Sequence, residues 1–464
     1  MPLFIGLDLG TQGVRAIVSN ENGNIFASES IKFDMQMISS PEQDTEVWRK
    51  SILKVLSAVS GQLGRSIRDI QSISVTSTSG TIVPINEKLE PIYNAIMYHN
   101  NVGISYLKKL TDGNLNKSFT FGKILWFQNE RKKYMKDVYK FIHANDYLIL
   151  LLTGTQIVSD YSSSLKSGYD VFNERWNDLG EVLKLSSLFP KVDKPGKIVG
   201  NLSKQISQET GLPQTIKVVL GMTDGCTGLL STGCAKEGDW CTTIGTTMVI
   251  KGLSQEYVKD DVFYSHKHPD NLWMPGGASN IGAKWVSYHD FDKNIDYFNK
   301  YAYENLLAEQ FHYPLIGKGE RFPFQDQEVE GFDNTSTDEE SFLAGMEGVA
   351  FIERMAYEKL ETEYGVIIKN IFSAGSAGQN EVWNKIRSNV LKKPIIPAGN
   401  EGSAFGAAII AASGTHFDNL SGASINMNQR NSNIVKDYSL SEQYDKRYYE
   451  FLKVLDKQRL KDKQ

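Results

Sequence analysis

Chemistry is first suggested by Asp8-Leu9-Gly10-Thr11-Gln12-Gly13-Val14-Arg15, where a carboxylate, two glycines, a hydroxyl and a guanidinium sit close together in the chain. The glycines allow a tight turn and close approach of backbone N–H groups to an anion, Thr11 can donate a further hydrogen bond, and Arg15 adds positive charge. Asp8, at the end of an apolar run, is placed to hold a magnesium ion through waters. By itself the pattern also fits a plain hairpin turn. Two other turns add weight to the phosphate reading: Gly245-Thr246-Thr247, which echoes Gly10-Thr11-Gln12, and Gly375-Ser376-Ala377-Gly378-Gln379-Asn380. Three such loops could clasp a nucleotide from both sides. Asp224 closes the apolar run that starts at Val218 and is flanked by Gly221 and Gly225. A strand-end carboxylate with small neighbours suits a general base beside a substrate, although Asp-Gly is also a common turn pair.

Positioning these groups requires a particular order of elements. Leu3 to Ile17 and Ile25 to Ala27 lie on either side of Asn22-Gly23, so the chain opens as strand, turn, strand, hairpin turn, strand. Trp48, Ile52, Val55, Leu56 and Val59 have helical spacing, and Ile73 to Val75 then reads as a strand leading into Thr76-Ser77-Thr78-Ser79-Gly80-Thr81. Strands alternating with helices predict an α/β fold. A second strand-turn-strand begins at Trp240, which suggests a duplicated architecture with a boundary near residue 244, giving domains 1–243 and 244–464. In the second half a helix is expected over Ser341 to Tyr364, a strand-turn-helix around Gly375, and a docking helix carrying Tyr444, Tyr448, Phe451, Leu452 and Leu455.

Composition narrows the function classes. The 464 residues carry 50 Lys and Arg against 55 Asp and Glu, a net charge of −5, so no overall positive field favours nucleic acid or anionic lipid. No apolar run approaches the ~20 residues that span a bilayer, and the acidic start MPLFIGLDLG is unlike a signal peptide, which together predict a cytoplasmic protein. The three cysteines, Cys226, Cys234 and Cys241, form no CxxC pair and are expected as free buried thiols. Each Gly-Lys pair (Gly122-Lys123, Gly196-Lys197, Gly317-Lys318) is followed by Ile or Gly, so there is no P-loop, and no GxGxxG follows the first strand.

Taken in order, DLGTQGVR, GMTDG, TIGTT, GGASN and AGSAGQN resemble the FGGY carbohydrate kinases, of the actin, hexokinase and Hsp70 ATPase superfamily, from Phe4 to about Gly414. The segment Ser118 to Glu130 resembles a signature of the same family, with Lys123 and Trp126 at its spacing. The resemblance implies two ribonuclease H-like domains around a nucleotide-binding cleft, with a hinge near the Asp224 to Gly245 connection, ATP and Mg²⁺ as cofactors, and a small sugar as substrate. A homodimer is compatible with it. By the resemblance Asp224 is the general base, Gly10, Thr11, Gln12, Gly13 and Arg15 surround the phosphates, and Gly245, Thr246 and Thr247 form a second phosphate hairpin. Gly277, Gly375, Gly378 and Gln379 would border the adenosine. Thr78, Ser79, Gly80, Asn100 and Asp160 would line the sugar, with Asp224 facing it and Lys166 a further candidate. Within the family the chain is most similar to D-ribulose kinases and xylulose kinase-like members, and Thr78-Ser79, where xylulose kinases carry Met-His, argues against xylulose as the preferred substrate, so D-ribulose is the expected acceptor. Gluconate, xylulose and glycerol are the alternative acceptors. Met97-Tyr98-His99-Asn100-Asn101-Val102 departs from the Asn-Asp-Ala-Arg that ribulokinase-like members carry after Met-Tyr. A non-catalytic ATP-binding switch is the alternative of another class.

Overall fold

The computed structural model describes residues 1–110, 119–177, 181, 184–399, 402–428 and 433–461. It divides into two compact units, Met1–Ser231 with Gly402–Gln429, and Thr232–Glu401 with Arg430–Gln464.

In the first unit, Leu3, Phe4, Ile5, Leu7 and Leu9 are all buried, and this nearly unbroken apolar run makes β1 (Leu3–Gly10) a central strand. It pairs antiparallel with β2 (Gly13–Asn20), which pairs antiparallel with β3 (Ile25–Lys32) across the Asn22-Gly23 turn, where Gly23 takes φ +78°. On its other side β1 runs parallel to β4 (Ile70–Ser77). With β5 (Ile198–Asn201) and β6 (Lys217–Val219), the sheet order is β5-β6-β4-β1-β2-β3. The expected helix is α1 (Thr45–Leu63), capped by Asp44, and its Trp48, Ile52, Val55, Leu56 and Val59 are all buried in the core over β2 and β3. A smaller antiparallel sheet joins Glu42–Gln43, Ala95–Ile96, Ile82–Ile85 and Lys140–His143, and α2 (Thr120–Glu130) packs into its apolar cluster. Ser118, the start of the signature segment, lies outside the described residues.

The second unit repeats the theme. Strands β7 (Asp239–Ile244) and β8 (Met248–Gly252) form an antiparallel hairpin, extended by β9 (Tyr264–Lys267) and β10 (Trp273–Ala278). On the other side, β11 (Asn370–Ala374) and β12 (Ile395–Pro397) continue in parallel, giving β9-β10-β8-β7-β11-β12. Helices α4 (Asp338–Tyr364), α5 (Glu381–Leu391) and α6 (Ser441–Lys461) occur where the spacing predicts them, α3 being Asp224–Ser231 of the first unit. Tyr444, Tyr448, Phe451 and Leu455 are the buried face of α6. The three cysteines are buried and form no disulfide, and no described helix is long and apolar enough to cross a membrane.

The compact units differ in extent from the expected division at residue 244 in two respects. The units change at Ser231/Thr232, and the chain returns to the first unit after Gly402. The returning helix, Ser403–Thr415, is buried from Ala404 through Ala412 and packs on β1 and β4. A Cβ on Gly6 would stand 1.8 Å from the Ala404 carbonyl oxygen, and one on Gly406 would stand 1.9 Å from that of Thr227. A helix that is apolar all round has no polar face to indicate which sheet it covers, so its partner is not readable locally.

Candidate active site

In the first unit the β1–β2 hairpin closes at Gly10↔Gly13, with Thr11 and Gln12 at its tip. Gln12 and Arg15 are exposed and Thr11 is partly so. Gly13 is needed for packing, since a Cβ there would meet the Ile31 carbonyl oxygen at 2.1 Å. The turn is held from below by Gln43, which the sequence reading missed. Its Nε2 donates to the carbonyls of Thr11 (3.2 Å) and Met37 (3.0 Å), while its Oε1 accepts from Trp48 Nε1 (2.9 Å). A buried glutamine next to a helix start carries no sequence signal of such a role.

Asp8 faces Arg15 across the hairpin and Thr76 across the parallel ladder. Its Oδ1 is shut off from solvent and has no hydrogen-bond partner among the described residues. Burial, reinforced by the negative charge of Asp224 and only partly offset by Arg15, pushes its carboxyl up to about 7. Two carboxylates repelling one another, one with a buried orphaned oxygen, are a donor set for a divalent cation, so Asp8 fits the magnesium role in kind. No cluster of three or more His, Cys, Asp or Glu suited to a metal occurs among the described residues, so water and phosphate oxygens would complete the coordination shell.

Asp224 is the first residue of α3, following β6. A chain of hydroxyls links its backbone carbonyl to the end of β4, which leads into the Thr78 to Thr81 segment. Thr76 Oγ1 bonds Thr227 Oγ1 (2.9 Å), which reaches the Asp224 carbonyl (3.2 Å), and Ser403 Oγ donates to that same carbonyl (3.3 Å). Gly221 lets this segment lie against β4, since a Cβ would stand 1.7 Å from the Val75 carbonyl oxygen. Gly225 is open, with no atom within 4 Å of a built Cβ, which leaves room beside the carboxylate.

The other expected sugar-site residues divide into two groups. Ser79 Oγ is buried without a partner among the described residues and can serve a ligand hydroxyl. Gly80 takes φ +86°, and Thr78 Oγ1 is tied to Thr81 Oγ1 at 2.8 Å. Asn100 and Asp160, in contrast, are occupied internally. Asn100 donates to the Pro41 carbonyl (3.1 Å) and accepts from Val102 N (2.9 Å), forming the turn after Tyr98. Asp160 caps a short helix, accepting from the backbone N–H groups of Ser162 (2.8 Å) and Ser163 (3.0 Å), both their hydroxyls (2.5 Å each) and Asn145 Nδ2 (3.2 Å). Those five donors are all internal to the first unit, and Ser162 Oγ in turn accepts from Thr223 N (2.8 Å), next to Asp224. Lys166 is partly exposed on the turn that follows that helix.

In the second unit, Gly245, Thr246 and Thr247 form the tip of the β7–β8 hairpin, with Thr246 exposed. The tip is braced by Ala283 N donating to the Gly245 carbonyl (2.7 Å). Gly375, at φ +87°, lies so close to the end of β7 that a Cβ would meet the Ile244 carbonyl oxygen at 2.6 Å, and Ala377 N donates to that oxygen (3.1 Å). The hairpin and the Gly375 to Gln379 loop are therefore neighbours, as the phosphate reading requires. Gly378 is buried against Ala374, and the exposed Gln379 donates to the Ala398 carbonyl (2.9 Å). Gly277 is buried in β10 beneath Phe322, whose ring would stand 2.2 Å from a Cβ. Glu320 was missed: it accepts from Ser279 Oγ (2.8 Å) and Asn280 N (2.7 Å), and so anchors the turn that follows β10.

Comparison with known proteins accords with this geometry. The model of the N-terminal domain of the FGGY family of carbohydrate kinases matches residues 3–231, and that of its C-terminal domain matches residues 238–415. A xylulose kinase of Staphylococcus xylosus is 25% identical, over 90% of this chain and 92% of its own. A gluconokinase of Bacillus subtilis is 23% identical, over 88% and 86%. The crystal structure of xylulose kinase from Rhodospirillum rubrum covers 100% of both chains with a TM-score of 0.87 at 21% identity, a likeness of fold.

Proposed function

Given that the chain belongs to the FGGY family of carbohydrate kinases, we propose that it transfers the γ-phosphoryl group of ATP to a hydroxyl of a small ketose, with Asp224 as general base and D-ribulose as first acceptor. The observation that carries this reading is the mutual repulsion of Asp224 and Asp8, whose Oδ1 is buried without a partner among the described residues, with Asp8 in register with Thr76 just ahead of the segment that offers the Ser79 hydroxyl. In the proposed reaction the acceptor hydroxyl attacks the γ-phosphorus. Its O–H proton passes to the Asp224 carboxylate, a new O–P bond forms, and the bond from the γ-phosphorus to the β-γ bridging oxygen breaks to release ADP. Phosphoryl transfer leaves the protein little covalent work, so orientation and charge stabilisation dominate. The exposed Thr11-Gln12 tip and Arg15 are disposed to hold phosphate oxygens, as is the Thr246 tip of the second unit. Asp8 would hold Mg²⁺, which when bound supplies charge neutralisation at the phosphate oxygens.

D-xylulose is the second acceptor to weigh, because several curated relatives bear that substrate in their names. The Thr78-Ser79 pair keeps D-ribulose first. The test is an ADP-release assay with Mg-ATP across D-ribulose, D-xylulose, L-ribulose, gluconate, glycerol and ribitol. Turnover on one ketose, lowered about 10²–10⁴-fold in kcat in Asp224→Asn with the KM for ATP little changed, supports the assignment. Full activity of the variant removes Asp224 as the base, and absence of sugar-stimulated turnover across the panel shifts weight to an untested acceptor or to a nucleotide switch.

A further inference from the structure

In the first unit, Lys123 is a buried cation with no carboxylate partner among the described residues. Lys123, on α2, is 1% exposed. Its Nζ donates to the Gly80 carbonyl at 2.7 Å and reaches the Tyr98 carbonyl at 3.4 Å. Those carbonyls belong to two separate stretches, the Thr78 to Thr81 loop and the Met97 to Val102 segment. A second link joins the same stretches, as Tyr98 N donates to Thr81 Oγ1 at 3.1 Å. The backbone of Tyr98 is thus held at its N–H by a threonine and at its C=O by an ammonium.

We propose that Lys123 is a positioning residue of the acceptor site, its ammonium clasping the Gly80 and Tyr98 carbonyls so that the loop bearing Thr78 and Ser79 is held in the form that receives the sugar. The inference rests on the sugar-kinase reading for its kinetic arm only. An ammonium is better suited to this than a neutral donor, because charge-assisted hydrogen bonds are roughly twice as strong as neutral ones. It is also titratable. Burial, with the positive charge of Lys166 adding to it, holds the Lys123 amine down at about 7, and Lys166 is the one charged group resolved as acting on it. The clasp is therefore strongest below neutrality and loosens as the amine loses its proton.

The test compares wild type with Lys123→Met, which removes the amine and keeps an unbranched apolar chain. Expected is a rise of about tenfold in the sugar KM at about pH 6.5, with the KM for ATP and the sugar-independent ATPase rate unchanged. Wild-type kcat/KM for the sugar should fall between about pH 6.5 and about pH 8.5 relative to the variant, which lacks this limb. Hydrogen exchange in the ligand-free wild type gives a second arm. Protection of the Tyr98 amide, corrected for intrinsic rate, should drop severalfold over the same pH range. If wild type phosphorylates a sugar and the variant matches it in sugar KM and pH profile, the proposal is overturned. If no sugar is phosphorylated, the kinase reading fails, and exchange at Tyr98 still decides the clasp. Protection independent of pH overturns it even where the variant does not fold.

Discussion

Asp8 shows how little of a residue's state its place in the sequence reveals. Its position before a Gly-Thr turn makes it a candidate site residue, but only the folded structure shows that Oδ1 is buried without a partner among the described residues and that Asp224 repels it. The consequence for stability has a definite sign. With a folded value of about 7 against an ordinary 3.8, the folded protein retains a proton that the unfolded chain has lost between those values. Asp8 therefore contributes stability below the lower value, and that contribution is lost as pH rises through the higher one. Asp8→Asn should flatten this part of the stability profile and raise the stability of the metal-free protein at about pH 8 by ~1–3 kcal/mol. Urea unfolding at several pH values checks it, and an unchanged slope would refute the burial argument. Activity should be lost in the same variant, as expected of a group that favours catalysis over stability.

At the scale of elements, the hairpin tips are supported by residues that sequence patterns do not mark. In the second unit, Arg387 on α5 and Glu353 on α4 are both fully buried and share two bonds of 2.7 Å. Glu353 also accepts from Thr242 Oγ1 (2.5 Å) on β7, and Arg387 donates to Ser373 Oγ on β11. Thr242 lies three residues before Gly245 and Ser373 two before Gly375, so this pair ties together the strands that carry the two glycine turns. Removing one partner strands the other in a medium of low polarity. Arg387→Met should destabilise the protein by ~3–5 kcal/mol in urea unfolding, and Glu353→Gln combined with it should recover part of that loss. Additive effects in the double variant would show that the two side chains do not act as a pair.

For the molecule as a whole, the first unit is discontinuous in sequence. The Ser403–Thr415 helix completes the cover of β1 and β4, and Gly6 and Gly406 exist to let it approach. A fragment of residues 1–231 should therefore lack a cooperative thermal transition, whereas the same fragment joined through a flexible linker to residues 402–428 should regain one together with its near-ultraviolet circular dichroism. A cooperative transition in the shorter fragment would show that the helix is dispensable. By itself the sequence determined the local elements: the Asn22-Gly23 hairpin, the amphipathic α1 and the Gly-Thr tips. Each is set by interactions a few residues apart, through turn conformations open to glycine and asparagine or through apolar spacing. Tertiary structure alone decided which carboxylate is left without a partner, that Asp160 and Asn100 are consumed by internal bonds, that Gly277 seats Phe322, and which unit claims the chain after residue 402. Those outcomes depend on groups brought together from distant parts of the chain, where burial and hydrogen-bond competition set the result, and neither has a signature in local sequence.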